Sequence, residues 1–285
     1  MKEEIIKLYP TDIEYPKKLL KYKTYPKVLY AIGNIALLNK LSIAIVGTRN
    51  INNYGITQTE RFASYLSQKG ITIVSGLANG VDTIAHMYSM KYIGKTIAVI
   101  ASGFNHIYPK NNERLFKSIL ENDGLIISEY NPNEEISMTN FPRRNRIISR
   151  ISEATLVTQA GIRSGSTLTA HITMKDGKIV FSIPGNVCDA MCRGTNALID
   201  EGAFIVDSPK DIIEYLEIDE ELLENSKIKP EYKDVYELMS KTTPIGANEI
   251  CHITNKKIQE VSEILIMLET DGFIKEKGYN TYVIA

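Results

Sequence analysis

A chain of 285 residues with 44% hydrophobic and 24% charged content has room for about two domains with sizeable cores, which excludes a disordered or fibrous polymer. Three cysteines are too few for a disulfide framework, and no apolar run approaches the roughly 18 residues of a membrane span, so the sequence predicts a cytoplasmic protein with no membrane span. The net charge of −1 conceals an asymmetry: residues 1–206 carry 24 Lys and Arg against 17 Asp and Glu, and residues 207–285 carry 9 against 17, which points to an anionic partner for the basic part.

Residues 1–40 hold three Tyr-Pro pairs (Tyr9-Pro10, Tyr15-Pro16, Tyr25-Pro26). Such pairs favour extended or turn backbone, and the segment reads as an N-terminal arm packed on the core. The next unit, 41–210, alternates short apolar runs with segments of helical length such as 57–69, 80–93 and 111–121. The runs are SIAIVGT (42–48), ITIVSG (71–76), TIAVIAS (96–102), GLIISEY (124–130), ATLVTQA (154–160), KIVFSIPG (178–185) and AFIV (203–206). They are nearly continuous in Val and Ile, as strands covered on both faces are. The rhythm predicts an α/β fold, a parallel or mixed sheet with helices on both faces. Many runs end in Gly or Ser at the carboxyl edge, where open α/β sheets place their ligand crevice. Residues 211–230 form an acidic linker, and 231–285 a small unit of three helical patterns and a hairpin turning at Gly278, which suggests a winged helix.

Three turns carry the candidate chemistry. The first, VGTRN (46–50), offers Gly47, Thr48 and Arg49 at a strand end, where a phosphate can approach closely. It lacks both the dinucleotide fingerprint and the P-loop pattern. The second, SGLANGVDTIAH (75–86), has Ser75 and Gly76 at its start and Asp82 and His86 at i, i+4. That pair reads as a loop clamp and helix cap rather than an acid–base couple, because no nucleophile stands at a matching spacing. The third, SGS, gives Ser164, Gly165 and Ser166 at the start of a helix, able to meet phosphate oxygens.

Between the second and third turns lies FPRRNRIISR. At about 100° per residue Arg143, Arg146 and Arg150 form one stripe, Ile147, Ile148 and Ile151 the buried face. Arg144 turns towards the buried side, next to the sheet edge, and Phe141 stands ahead of the helix as a stacking surface for a base. No carboxylate occurs from Ala154 to Lys175, and only His171 in that stretch could act as general acid or base. The combination suits holding a polyanion better than hydrolysing one. Cys188 and Cys192 have no third ligand near them in sequence, which argues against zinc. Residues 231–285 carry six Lys against nine acids, and the candidate recognition helix 256–270 has three Glu against two Lys. That charge suits a protein partner or a regulatory role better than DNA.

The ordered motifs IVGTRN, SGLANGVDTIAH, FPRRNRIIS, LVTQA, SGSTLTA, IPG and GTNALIDEGA resemble the DprA/Smf family of DNA-processing proteins over about residues 42–206. Residues 231–285 are similar to that family's C-terminal winged helix. The resemblance implies an extended Rossmann-like core that forms a homodimer. It implies a single-stranded DNA-binding protein that protects incoming strands and loads the RecA recombinase during natural transformation. With no nucleophile or catalytic carboxylate at a fitting spacing and no nucleotide fingerprint, the residues themselves predict neither enzyme activity nor a cofactor. The family's DNA pocket then falls on Gly47, Thr48 and Arg49, on Phe141, Arg144, Asn145 and Arg146, and on Ser164, Gly165 and Ser166. Two turns depart from the family pattern: Gly103-Phe104-Asn105 stands where GLD is usual, and Thr158-Gln159-Ala160 where a Glu is usual. Two alternatives share the fold. A nucleotide phosphoribohydrolase would need a catalytic Glu where Thr169 stands, and a nucleotide-binding regulator would use the acidic C-terminal unit to signal.

Overall fold

The computed structural model describes residues 4–218, 230–240, 242–270 and 272–284. The chain divides into two compact units, parting between residues 220 and 221.

All seven predicted runs are strands of one sheet. They are β3 (Ser42–Val46), β4 (Thr72–Ser75), β5 (Thr96–Ile100), β6 (Leu125–Ser128), β7 (Ala154–Val157), β8 (Ile179–Ser182) and β9 (Phe204–Ile205), all parallel. The N-terminal arm does more than pack on this sheet. It supplies β1 (Ile6–Leu8) and β2 (Leu29–Gly33), which pair antiparallel with each other and with β6. The nine strands run β1-β2-β6-β5-β4-β3-β7-β8-β9. Tyr15 anchors the arm: its ring is fully buried and its hydroxyl donates to Pro26 O at 2.7 Å.

The helices of this unit are α1 (Lys17–Leu20), α2 (Asn53–Gln68), α3 (Val81–Ser89), α4 (Glu113–Glu121), α5 (Asn140–Ile151), α6 (Gly165–Lys175), α7 (Arg193–Asp200) and α8 (Pro209–Tyr215). Both sheet faces are covered, which explains why the runs show no polar alternation. Ile97 and Val99 of β5 cluster with Ile147, Ile148 and Ile151 of α5. Their alternates Ala98 and Ile100 cluster with Phe116 and Ile119 of α4. The predicted linker starts too early: α8 occupies 209–215, capped by Ser208 with Asp211, and its Tyr215 ring packs on Phe181 and Phe204. Residues 219–229 of that linker lie outside the described residues.

The winding places the ligand site. From β3 the chain steps through β4, β5 and β6 to one side, then returns past β3 to add β7, β8 and β9 on the other. The carboxyl ends of β3 and β7 therefore flank a topological switch point, the position where open α/β sheets hold ligands.

The second unit contains α9 (Lys233–Tyr236), β10 (Ile245–Gly246), α10 (Ala247–Thr254), α11 (Ile258–Thr270), β11 (Ile274–Gly278) and β12 (Thr281–Ile284). Its strands pair antiparallel in the order β10-β12-β11. Its own core is built from residues including Val235, Ile250, Val261, Leu265 and Leu268. The order of elements is that expected of a winged helix, with a first helix of only four residues. Among the described residues no helix is long and apolar enough to cross a membrane.

Candidate nucleic-acid interface

Three segments meet at the switch point. The turn after β3 follows a strand buried along its whole length. Thr48 N donates to Gln159 O at 2.7 Å, and Val81 N donates to Thr48 O at 3.1 Å. The turn is thus clamped between the end of β7 and the start of α3, and Arg49 is left exposed at its tip. The Arg49 guanidinium lies over the Phe141 ring, 5.6 Å from its centroid.

Helix α5 begins at Asn140, so Phe141 and Pro142 sit in its first turn instead of ahead of it. Its register is as the spacing predicts: the three isoleucines are buried, and so is Arg144, at 5% exposure. Arg144 Nη1 donates to Gly76 O and Val99 O, each at 2.5 Å, and Nε donates to Asn145 Oδ1 at 3.1 Å. Asn145 Nδ2 in turn donates to Gly165 O at 3.2 Å, tying α5 to α6.

Helix α6 opens with a capping box in which Thr167 N donates to Ser164 Oγ at 3.2 Å and Ser164 N donates to Thr167 Oγ1 at 3.3 Å. The Ser164 and Ser166 hydroxyls lie 2.7 Å apart. The first-turn N–H groups of such a helix have no intrahelical acceptor, and its dipole favours an anion there. A Cβ on Gly165 would meet nothing within 4 Å. This glycine is not demanded by packing and leaves the helix start open to a ligand.

These segments enclose a cleft of about 420 Å³ lined by Gly47, Thr48, Arg49, Phe141, Arg144, Asn145, Ser164, Gly165 and Ser166. Thr169 also lines it, where a phosphoribohydrolase would carry Glu, and its Oγ1 donates to Gly165 O at 3.3 Å. Three nominated residues are placed elsewhere. Ser75 is fully buried, and its Oγ donates to Ile45 O at 2.7 Å. Gly76 lines a smaller neighbouring recess, and a Cβ there would collide with the Arg144 guanidinium. Arg146 does not line the cleft: Nη2 binds both Glu129 carboxylate oxygens at 2.5 Å, and Nη1 donates to Thr24 O at 2.6 Å. Arg150 is likewise engaged, with Asp176 at 2.8 Å. Most of the stripe therefore fastens α5 to neighbouring segments.

Asp82 and His86 clamp the second turn, as their spacing suggests. Asp82 Oδ2 accepts from Gly76 N at 3.0 Å and from Ala78 N at 3.3 Å. His86 Nε2 accepts from Leu77 N at 3.3 Å. Asn112, which carried no signal in the sequence, closes the same turn by donating to Leu77 O, Ala78 O and Thr83 Oγ1.

Asp82 is the one carboxylate among the described lining residues. Burial pushes its pKa up, while the Arg144 charge and the backbone N–H bonds pull it down. Burial lowers the Arg144 pKa to about 10, so the guanidinium stays charged at neutral pH. His86 is pushed down to about 3 by burial and by Arg144, so it is neutral. The cleft presents two arginines, four hydroxyl side chains (Thr48, Ser164, Ser166 and Thr169) and a helix N-terminus, with its carboxylate already bound to backbone. The larger groove on the second unit, about 850 Å³, is lined by Glu231, Asp234, Glu260 and Glu263. Its Lys256 is paired with Asp234 at 2.9 Å and Glu260 at 3.5 Å. That groove repels a polyanion.

The family model for DNA recombination-mediator protein A matches residues 7–217. Protein Smf of Escherichia coli is 36% identical over 280 residues, covering 94% of this chain and 74% of that protein. DNA processing protein DprA of Streptococcus pneumoniae is 41% identical over 199 residues, covering 70% of each. Its X-ray structure matches with a TM-score of 0.70 at 39% identity over 74% of each chain. The DNA processing protein A of Helicobacter pylori, whose structure addresses its single-stranded DNA binding mode, matches with a TM-score of 0.68 at 33% identity, covering 75% of this chain and 96% of that one. With its sheet order, its switch-point cleft and these matches taken together, the chain belongs to the DNA recombination-mediator protein A family.

Proposed function

We propose that this protein binds single-stranded DNA in the switch-point cleft, with phosphates held by Arg49 and the α6 N-terminus and with Arg144 supplying fixed positive charge behind them. The convergence of Arg49, Arg144 and the Ser164–Ser166 helix start on one cleft carries this reading. Such an arrangement matches the sugar–phosphate backbone and ignores base identity. The protein acts as a binder, not a hydrolase, because Asp82 accepts two backbone N–H bonds and Thr169 stands where a catalytic carboxylate would be needed. We extend the reading to a cytoplasmic homodimer, joined through its core, that protects incoming strands and hands them to a RecA recombinase in DNA processing.

Fluorescence anisotropy of labelled single- and double-stranded oligonucleotides across a salt series tests the binding step. The single strand is preferred. Arg49→Ala weakens it on all sequences and lowers the slope of log K against log salt by about 0.7 for the lost phosphate contact. Equal affinity for the duplex, or an Arg49→Ala protein that keeps wild-type affinity and slope, overturns the reading. RecA filament formation on strands coated with this protein tests the transfer step.

A further inference from the structure

Phe141 is the aromatic that the arginine motif nominates for stacking, yet its ring is already engaged. The Arg49 guanidinium lies over it, and the Tyr108 ring meets it at a steep tilt of 61° with centroids 5.6 Å apart. Tyr108 is the more open of the two rings, at 44% exposure. It lines the smaller recess beside the cleft, together with Arg49, Gly76, Asn79, Pro109 and Phe141. The loop that carries it is fixed. Ser102 Oγ donates to His106 O at 2.7 Å, and Asn112 N donates to Pro109 O at 3.0 Å. Gly103 N and Asn105 N donate to Glu134 O and Pro132 O, each at 3.0 Å. The ring is held in place before any ligand arrives, which removes much of the entropic cost of using it.

We propose that Tyr108 is a stacking platform for a nucleobase, so that a bound strand continues from the cleft past Arg49 and over the exposed Tyr108 ring. An accessible aromatic next to a cation along a groove is the pattern that sequence-tolerant single-strand binders use, because every base has a π-face. The ligand is a base within a polynucleotide, one step along from the phosphates at the cleft. This inference rests on the single-stranded DNA reading above.

The chain contains no tryptophan, so Tyr108→Trp places a single indole at the site. Titration of that variant with a 12-residue oligodeoxythymidylate quenches the indole emission, because the base stacks on it. By anisotropy, Tyr108→Ala and Tyr108→Leu weaken the 12-mer by about 5- to 150-fold, the span expected for one lost stacked base. Their salt slope stays at the wild-type value, because no phosphate contact is removed, and Tyr108→Phe restores wild-type affinity. The leucine variant keeps an apolar side chain against Phe141, so a purely packing role for Tyr108 would leave its affinity near wild type. Unquenched indole emission in a Tyr108→Trp protein that still binds the 12-mer, or a leucine variant that binds as wild type, overturns the Tyr108 site and leaves the single-strand reading intact. Absence of wild-type binding to the 12-mer overturns both.

Discussion

His86 is sealed from water behind the cleft. Nε2 accepts the Leu77 N–H, and Nδ1 lies 2.7 Å from Thr96 Oγ1, whose own hydrogen goes to Ile73 O at 2.8 Å. That chain fixes the neutral tautomer with the proton on Nδ1. A second proton would put a donor against a donor beside the Arg144 charge, and the folded pKa falls from 6.5 to about 3. Between those values the unfolded chain binds a proton that the folded one refuses. Stability from this group is therefore full above pH 6.5 and is lost as pH falls towards 3, at up to about 1.4 kcal/mol per pH unit. Asp82 works in the opposite sense, because its folded pKa is raised above 3.8. The folded state takes up that proton first, which offsets part of the loss in acid. Urea midpoints measured between pH 7.5 and 5 should fall for wild type and fall less for His86→Gln; a wild-type midpoint level across that range refutes a buried neutral His86. The i, i+4 spacing of Asp82 and His86 made a clamp legible in the sequence, and helical angle made the burial of Arg144 legible. The partners were not legible, because Gly76 O and Val99 O lie 68 and 45 residues away in the chain. Arg144→Ala would strand both carbonyls as well as remove a charge, so Arg49 is the cleaner probe of phosphate binding.

Helix α6 separates stability from binding. Gly165 is its first residue, and a methyl there meets no protein atom within 4 Å. Glycine to alanine at a backbone position that alanine can adopt stabilises by about 0.4–1 kcal/mol, chiefly by narrowing the unfolded ensemble. The same methyl stands where a phosphate must approach the helix N-terminus. Gly165→Ala should thus keep or raise the thermal midpoint while weakening single-stranded DNA in anisotropy; undiminished affinity would place the strand away from α6. At this scale the sequence disclosed the strands of the parallel part of the sheet and the opening of α6, since continuous apolar runs and a Ser-Gly-Ser turn are local signals. It concealed two things. The Tyr-Pro pairs masked β1 and β2, whose pairing depends on the distant β6. The arginine stripe of α5 looked unopposed because its counter-ions, Glu129 and Asp176, come from segments 17 and 26 residues away.

Across the whole molecule, charge and topology assign the two units different tasks. The switch point could be anticipated only as a carboxyl edge, because the return from β6 to β7 across β3 is a property of strand order that periodicity does not encode. The unit that holds the cleft has its own cores on both sheet faces, one around α5 and one around α4. Residues 221–285 carry 8 Lys against 11 Asp and Glu, and their groove is rimmed by carboxylates. Such a unit offers a polyanion repulsion, weakened by salt over a Debye length of about 10 Å at 0.1 M. A chain ending at Glu220 should therefore fold and bind single-stranded DNA at least as tightly as the full chain. Any gain should be largest at low salt and vanish as salt rises, because it comes from removing screened repulsion and not from a new contact. A loss of tenfold or more that persists across the salt series would mean that the second unit touches the strand, and its acidic groove would then have to be bypassed by a surface of opposite charge.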